Sequence, residues 1–234
     1  MRSLRGARAR SDAARAYARA AMPGPRTPWR EASYCVLDLE LSGLDARASE
    51  IIAFGALPID DGRVRLEGAR WGLVRPTRPL APESIRVHGI RAADLAGAPA
   101  RERALEGLLE AMTGRVLVAH HAPVERAFLA PALRRAAGVR LRGPLLDTVP
   151  IARLWLAERD RRMPAPMGLG ELARACGLPV HSPHTAVGDA LTTAQLFIVA
   201  ASQLDAQRPQ TLRRLAGSPA RLRELAGVWP PPDS

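Results

Sequence analysis

The chain has 234 residues, and 47% of them are hydrophobic, which is enough to build one sizeable core. No apolar run of about 18 residues occurs, so the sequence excludes a membrane-spanning helix. The formal net charge is +11, but residues 1–30 hold eight arginines and one aspartate. The positive charge is therefore concentrated in the N-terminal segment.

The amino-acid composition weakens the inference from this positive charge to a nucleic-acid partner. The sequence contains neither lysine nor asparagine, and because both have AT-rich codons, their absence indicates a GC-rich coding sequence. The charge permits a phosphate-rich partner such as nucleic acid without establishing one. The two cysteines, Cys35 and Cys176, lie in apolar segments and do not resemble a disulfide framework, which favours a reducing cytoplasm.

Three regions are predicted along the chain. Residues 1–30 are expected to form a flexible, Arg/Ala-rich tail and linker, with an organellar transit peptide as the less favoured alternative. Residues 31–204 are expected to form one α/β domain. Residues 205–234 are predicted to form a C-terminal helix and a frayed tail.

Apolar periodicity predicts the elements of the domain. Strands are expected at residues 34–40, 50–60 and 63–74, and Asp61-Gly62 marks a tight turn between the last two. A proline-punctuated loop follows at residues 75–90. The later elements are a strand at 115–120 and helices near 100–112, 123–137, 147–157, 168–176 and 185–204. This order predicts an antiparallel meander and then parallel strands in a mixed sheet flanked by helices.

Two carboxylates interrupt the first predicted strand, VLDLELSGLD. Asp38 and Glu40 are two residues apart and therefore project from one face, whereas Cys35, Leu37 and Leu39 fill the other. Two buried like charges are costly unless a cation lies between them or one carboxyl stays protonated. The pair therefore indicates either a cation site or a carboxyl group that stays protonated.

Three further segments supply groups that would join this pair, and each also has an ordinary explanation. Glu125 is expected in the first turn of a helix, where it would also complement the helix dipole. His184 precedes a helix that carries Asp189, and these residues would also serve as a helix cap and a solvated charge. Asp147 is interpreted as a cap rather than a ligand.

A histidine-based zinc site is the competing interpretation. His120 and His121 are adjacent, and strand neighbours project to opposite faces, so they are expected to be poor co-ligands. His120, His121 and His181 are therefore interpreted as core or loop residues.

Four segments in order resemble the DEDDh exonucleases, the family of the proofreading epsilon subunit of DNA polymerase III. DLELSGLD is similar to the first motif, SIRVHGI to the middle segment, AHHAPVERAFL to the second motif, and HTAVGD to the third. The third motif carries His184 five residues before Asp189, and Thr185 stands where a sister family has tyrosine. The resemblance covers about residues 34–204 and implies a ribonuclease H-like fold with a mixed five-stranded sheet.

The resemblance also implies roles for individual residues. Asp38 would bridge two magnesium or manganese ions, Glu40 and Asp189 would complete the first site, and Glu125 would hold the second. His184 would be the general base. The 3′-terminal nucleotide would contact four residues: Ser42, Gly43, Leu44 and His88.

Two departures from the family pattern affect these roles. Glu125 occupies the position of an aspartate, which bears on metal geometry, and Leu41-Ser42 replaces a frequent Thr-Thr, which bears on nucleotide contacts.

The predicted function is metal-dependent 3′–5′ exonuclease action on DNA that releases nucleoside 5′-monophosphates. An RNA-trimming exoribonuclease and a catalytically silent nucleic-acid-binding or polymerase-associated module are the alternatives. A polymerase partner and a homodimer are left open.

Overall fold

The computed structural model describes residues 9–160 and 167–217. Within these ranges the chain forms one six-stranded sheet in the order β3-β2-β1-β5-β6, and β4 pairs with the same strand, β2, that pairs with β3. The strands are β1 (Tyr34–Leu41), β2 (Ile51–Asp60), β3 (Arg63–Val64), β4 (Arg70–Leu73), β5 (Val116–Ala119) and β6 (Leu145–Asp147).

The helices lie on both faces of this sheet. They are α1 (Asp12–Arg19), α2 (Pro82–His88), α3 (Ala92–Leu95), α4 (Arg101–Met112), α5 (Ala122–Ala132), α6 (Thr148–Asp160), α7 (Leu169–Ala175), α8 (Ala186–Gln207) and α9 (Leu212–Ala216). No helix in the described ranges combines the length and apolarity needed to cross a bilayer.

The sheet topology confirms the predicted mixed α/β architecture. β1 pairs antiparallel with β2, and β2 pairs antiparallel with β3 and β4. β1–β5 and β5–β6 are parallel pairs. An antiparallel meander is thus followed by parallel strands, and the sheet has six strands rather than the expected five.

The strand expected at residues 63–74 is wrong as a continuous element. β3 and β4 are separate, and a 3₁₀ turn at Leu66–Gly68 lies between them. Pro58 of β2 explains the break, since it has no N–H to donate to a neighbouring strand. Three other elements were not anticipated: α2, which begins with Pro82 in the expected loop, the short helix α3, and the short strand β6.

Two apolar cores lie on opposite faces of the sheet. One core joins Leu37, Leu39 and Leu117 to residues of α4 and α5. The other joins Tyr34, Val36 and Val118 to residues of α6 and α8. Cys35 and Cys176 are both buried and are not bonded to each other.

The N-terminal segment differs from the expected flexible tail. Residues Asp12–Arg19 form α1, and Tyr17 is only 2% exposed in the first core. The Tyr17 hydroxyl accepts a hydrogen bond from the backbone N–H of Arg142 at 2.9 Å. Arg142 Nη1 donates to the carbonyls of Tyr17 and Ala20. This segment therefore packs on the domain, because an amphipathic helix with one buried aromatic anchors it.

The C-terminal region also differs from the expectation. α8 continues to Gln207, a turn follows, and α9 spans only Leu212–Ala216. Leu212 and Leu215 are buried in the second core. The predicted helix over residues 205–226 is described only as far as residue 217, and the predicted frayed end, WPPPDS, lies outside the described residues.

Candidate active site

β1 places the two carboxylates of the first motif on one face of the sheet. Cys35, Leu37 and Leu39 are buried in the first core, as the alternation of the strand predicted. Asp38 and Glu40 project from the opposite face, where Glu40 is buried and Asp38 is partly buried. The sequence prediction for this strand is confirmed.

A third carboxylate reaches the pair from a distant part of the chain. Asp189 lies in the first turn of α8, and ligand oxygens of Asp38, Glu40 and Asp189 lie within 4.8 Å of one another. Oxygen ligands at such spacing suit a hard divalent cation. The fold therefore brings together three carboxylates that the sequence placed in two separate motifs.

The loop before α8 has an unusual backbone. Ser182 and His184 have φ of 33° and 60°, a left-handed conformation that is uncommon for residues other than glycine. A β-carbon on Gly188 would lie 2.3 Å from the carbonyl oxygen of His181, so the loop folds closely against the first turn of the helix. Thr185 caps the helix by accepting from the N–H of Gly188. Together these contacts fix the position of Asp189.

Asp147 fixes the start of the helix that carries the fourth acidic residue, Glu125. Its carboxylate accepts hydrogen bonds from the backbone N–H groups of His121 and Ala122, both at 3.1 Å. It also accepts from Val149 at 2.9 Å. The interpretation of Asp147 as a cap is confirmed, and the cap serves α5 as well as the beginning of α6.

Glu125 is buried beside the other acidic residues. Its side chain is 6% exposed, and its Oε2 atom has no hydrogen-bond partner. Burial raises the pKa of Glu125 well above its ordinary value, a hydrogen bond from the Leu39 backbone lowers it, and the charge of Glu40 raises it again. A buried carboxylate oxygen without a donor fits a cation ligand.

The other carboxylates have raised pKa values for similar reasons. Burial and the charges of Glu125, Glu40 and Asp189 raise the pKa of Asp38 well above its ordinary value. Burial and the charge of Asp189 raise the pKa of Glu40 to about 7, and Glu40 Oε1 also has no hydrogen-bond partner. Burial raises the pKa of Asp189. Bound cations would offset this repulsion and keep the cluster ionised at neutral pH.

His184 lies at the edge of the cluster. Its backbone N–H donates to Asp189 Oδ2 at 2.9 Å, and the residue is exposed. The structure thus places the predicted general base next to a predicted ligand, on the side open to solvent.

The four residues predicted to contact the terminal nucleotide have different surroundings. Ser42 is 3% exposed, and its hydroxyl accepts from the N–H of Glu50 at 2.9 Å, which holds the loop after β1. Gly43 is buried, and Leu44 beside it is 67% exposed. His88 is half-buried, its Nδ1 accepts from the N–H of Ile90, and burial lowers its pKa. Their contacts with substrate remain a prediction.

The remaining histidines occupy structural positions, as interpreted from the sequence. His120 is hydrogen-bonded through Nδ1 to Thr148, and burial lowers its pKa to about 3. His181 is hydrogen-bonded through Nε2 to Gln195. The expectation that His120 and His121 project to opposite faces is wrong, because their ring centroids are 4.6 Å apart. His121 has φ of 56°, so the strand alternation has ended there.

A mixed sheet with helices on both faces and a buried carboxylate cluster at the end of β1 has the architecture of the ribonuclease H-like class. The sequence model of the family RNase_T, described as exonuclease, matches residues 35–197, and the chain belongs to this family. The resemblance to the epsilon-type exonucleases is thereby confirmed.

Curated relatives have related names. DNA polymerase III subunit epsilon-like protein of Rhodobacter capsulatus is 34% identical over 179 residues, covering 74% of this chain and 24% of that protein. DNA polymerase III PolC-type of Thermotoga petrophila is 30% identical over 170 residues, covering 73% and 12%. DNA polymerase III subunit epsilon of Aquifex aeolicus is 27% identical over 168 residues, covering 72% and 80%. The chain therefore corresponds to a small part of the first two proteins.

Solved structures share the fold. Exonuclease X in complex with 5′ overhanging duplex DNA has a TM-score of 0.59 and 23% identity, covering 79% of this chain and 99% of that chain. The ExoI/SSB-Ct complex has a TM-score of 0.65 and 13% identity, covering 75% and 42%.

Proposed function

We propose that the protein is a metal-dependent 3′–5′ exonuclease that acts on single-stranded or frayed DNA ends and releases nucleoside 5′-monophosphates. The observation that supports this most directly is the clustering of Asp38, Glu40 and Asp189 within 4.8 Å. The names of the relatives, all forms of DNA polymerase III proteins, favour DNA over RNA. They also favour a polymerase as partner.

The acidic residues fit a pair of divalent cations. Glu40 Oε1 and Glu125 Oε2 are buried without a hydrogen-bond partner, and both belong to carboxyl groups whose pKa is raised. Asp38, Glu40 and Asp189 would hold one magnesium or manganese ion, and Asp38 with Glu125 would hold the second. Two such ions, when bound, activate a water molecule and neutralise charge on the phosphate and the leaving oxygen.

His184 supplies the proton acceptor in this proposal. A neutral imidazole is suited to taking a proton from the attacking water near neutral pH. The exposed position of His184 beside Asp189 leaves room for the substrate on the solvent side. The left-handed backbone conformation of His184 sets the direction of its side chain. This supports the proposal that the imidazole is held in position as the general base.

A DNA-end assay tests the proposal. The substrate is single-stranded DNA labelled at its 5′ end, so that 3′–5′ action gives a ladder of shortened strands and the opposite polarity gives labelled mononucleotide at once. We expect shortening with magnesium or manganese and none with EDTA. Asp38→Ala should abolish it, and Glu110→Ala, which changes an exposed acidic residue on α4, should not.

The outcomes separate the alternatives. Unchanged activity in Asp38→Ala would overturn the two-metal assignment. Faster shortening of a matched RNA strand would favour the exoribonuclease. Metal binding with no activity on any DNA or RNA end would favour the silent module.

A further inference from the structure

The sheet register places one tryptophan in line with the acidic cluster. Asp38 of β1 is opposite Gly55 of β2, and Gly55 is opposite Trp71 of β4. Directly opposed residues of antiparallel strands project from the same face, so Trp71 shares a face with Asp38. Adjacent strands are about 4.8 Å apart, which puts the two α-carbons about 10 Å apart.

This tryptophan is exposed, unlike the other two that the structure describes. Trp71 is 70% exposed, whereas Trp29 and Trp155 are 1% and 7% exposed. An exposed tryptophan in line with a site is a candidate ligand contact, because indole combines a large apolar face with few rotamers.

Other exposed apolar side chains lie close in sequence to the predicted site residues. Leu44, Val87, Val124 and Val187 are exposed and lie within two residues of Gly43, His88, Glu125 and Asp189 respectively. Among the remaining exposed large apolar residues of the described ranges, the exception is Leu66, which is 63% exposed in the turn between β3 and β4. Apart from Leu66, these exposed apolar residues therefore occur in the segments that carry the predicted site residues.

Trp71 borders a hollow between β4 and the start of α8. The hollow has a volume of about 160 Å³, and its lining includes Trp71, Leu73, His88, Ile90, His184 and Val187. An apolar cavity of about 150 Å³ is large enough for a benzene ring. Size and lining therefore suit a flat, largely apolar ring rather than a phosphate group.

We propose that this hollow binds a nucleobase of the substrate strand, stacked on the indole of Trp71, next to the phosphodiester at the acidic cluster. The proposal rests on the proposed function, because it takes the occupant to be the strand whose end is hydrolysed. Two features select this occupant: His184 and His88 line the same hollow, and Ala53, which also lines it, is the residue opposite Glu40 in the sheet. Stacking tolerates every base, so this contact favours unpaired strands without selecting a sequence.

The test measures binding separately from hydrolysis. Single-stranded DNA with a 5′ fluorophore is titrated with protein in EDTA, and affinity is read by fluorescence anisotropy. Trp71→Ala should weaken binding by about 5- to 150-fold. Trp71→Phe should lose less, because a smaller aromatic ring remains. Leu66→Ala, a matched exposed apolar residue away from the hollow, should bind within about twofold of wild type.

A strand with abasic positions at its 3′ end distinguishes base stacking from other effects. Wild type and Trp71→Ala should bind this strand equally. In magnesium, Trp71→Ala should raise KM for normal DNA and leave kcat within about threefold.

Each contrary result has a definite meaning. Three results would overturn the proposal. Trp71→Ala could bind normal DNA as tightly as the wild type does, or it could weaken binding of the abasic strand as much as binding of the normal strand. The third result is that the wild type does not bind the normal strand. A change in oligomeric state for Trp71→Ala, measured by light scattering without DNA, would assign the hollow to a second copy of the chain. Base-dependent binding through Trp71 without any nucleotide release would instead remove the proposed catalytic function and leave the base site standing.

Discussion

Gly55 of β2 and Ala186 of α8 are in direct backbone contact: a β-carbon on Gly55 would lie 2.3 Å from the carbonyl oxygen of Ala186. Gly55 is also the residue opposite Asp38 in the sheet. The missing side chain lets the first turn of α8 rest on the sheet beside the first motif. Asp189, three residues after Ala186, therefore reaches Asp38 and Glu40.

Replacing Gly55 tests this arrangement. Gly55→Ala should push the start of α8 away from the sheet, because the clash is with backbone rather than with a flexible side chain. A displacement of about 1 Å can cost about a hundredfold in rate, so we expect a loss of that order and weaker manganese binding by calorimetry. Gly107→Ala in α4, where a β-carbon meets nothing within 4 Å, is the control. Wild-type activity in Gly55→Ala would contradict the proposed role of this contact.

His184→Ala tests the general base. The rate at neutral pH should fall by about 10²- to 10⁴-fold while metal binding survives, because the proposed role of the side chain is proton transfer and not ligation. Turnover and calorimetric titration with manganese give the two quantities. A collapse of metal affinity would show that His184 is a ligand.

Glu125 is one of the two departures from the family pattern, and two substitutions test its role. Glu125→Gln should lower the rate by about tenfold or more, since an amide is a weaker cation ligand than a carboxylate. Glu125→Asp should be partly active with an altered preference between magnesium and manganese, because its shorter side chain moves the carboxylate. Initial rates in each metal measure both effects, and Glu110→Gln is the control. A fully active Glu125→Gln would reduce Glu125 to a residue that complements the helix dipole.

The stability of the metal-free protein should depend on Glu40. Its pKa is raised from 4.5 to about 7 on folding, so the folded state binds this proton more tightly than the unfolded state. The wild type therefore loses the contribution of Glu40 to stability as the pH rises from about 4.5 to 7. Glu40→Gln lacks this contribution and keeps only the pH dependence of the other raised carboxyls, Asp38, Glu125 and Asp189. In EDTA, the advantage of Glu40→Gln in free energy of unfolding should grow between pH 5 and 8, by at most about 3 kcal/mol.

Urea denaturation of both proteins at several pH values measures this difference. Magnesium should restore the wild type at pH 8 more than it restores Glu40→Gln. A difference between the two proteins that is constant with pH would show that Glu40 titrates normally.

Replacing Tyr17 tests how much the packing of the N-terminal helix α1 contributes to the stability of the domain. Tyr17→Ala removes an aromatic ring that is 2% exposed, and the free energy of unfolding should fall by about 3 to 5 kcal/mol. Arg19→Ala on the exposed side of the same helix should change it by less than about 0.5 kcal/mol. An unchanged urea midpoint in Tyr17→Ala would mean that α1 contributes little to the domain.

The sequence by itself determined the features that depend on local periodicity and motif order. The alternation of β1 fixed which face carries Asp38 and Glu40, and the order of the motifs predicted the exonuclease family. Such inferences succeed because strand alternation needs only neighbouring residues, and because several motifs in order are far more specific than one.

Only the tertiary structure decided the features that join residues distant in sequence. The contact of Gly55 with Ala186, the packing of Tyr17 against Arg142, and the row from Asp38 to Trp71 each link separate segments. A glycine inside an apolar strand was a signal for the first contact, but it did not identify the partner. Local sequence patterns show that the apolar face of a strand or helix must be buried, and long-range packing decides which segment buries it.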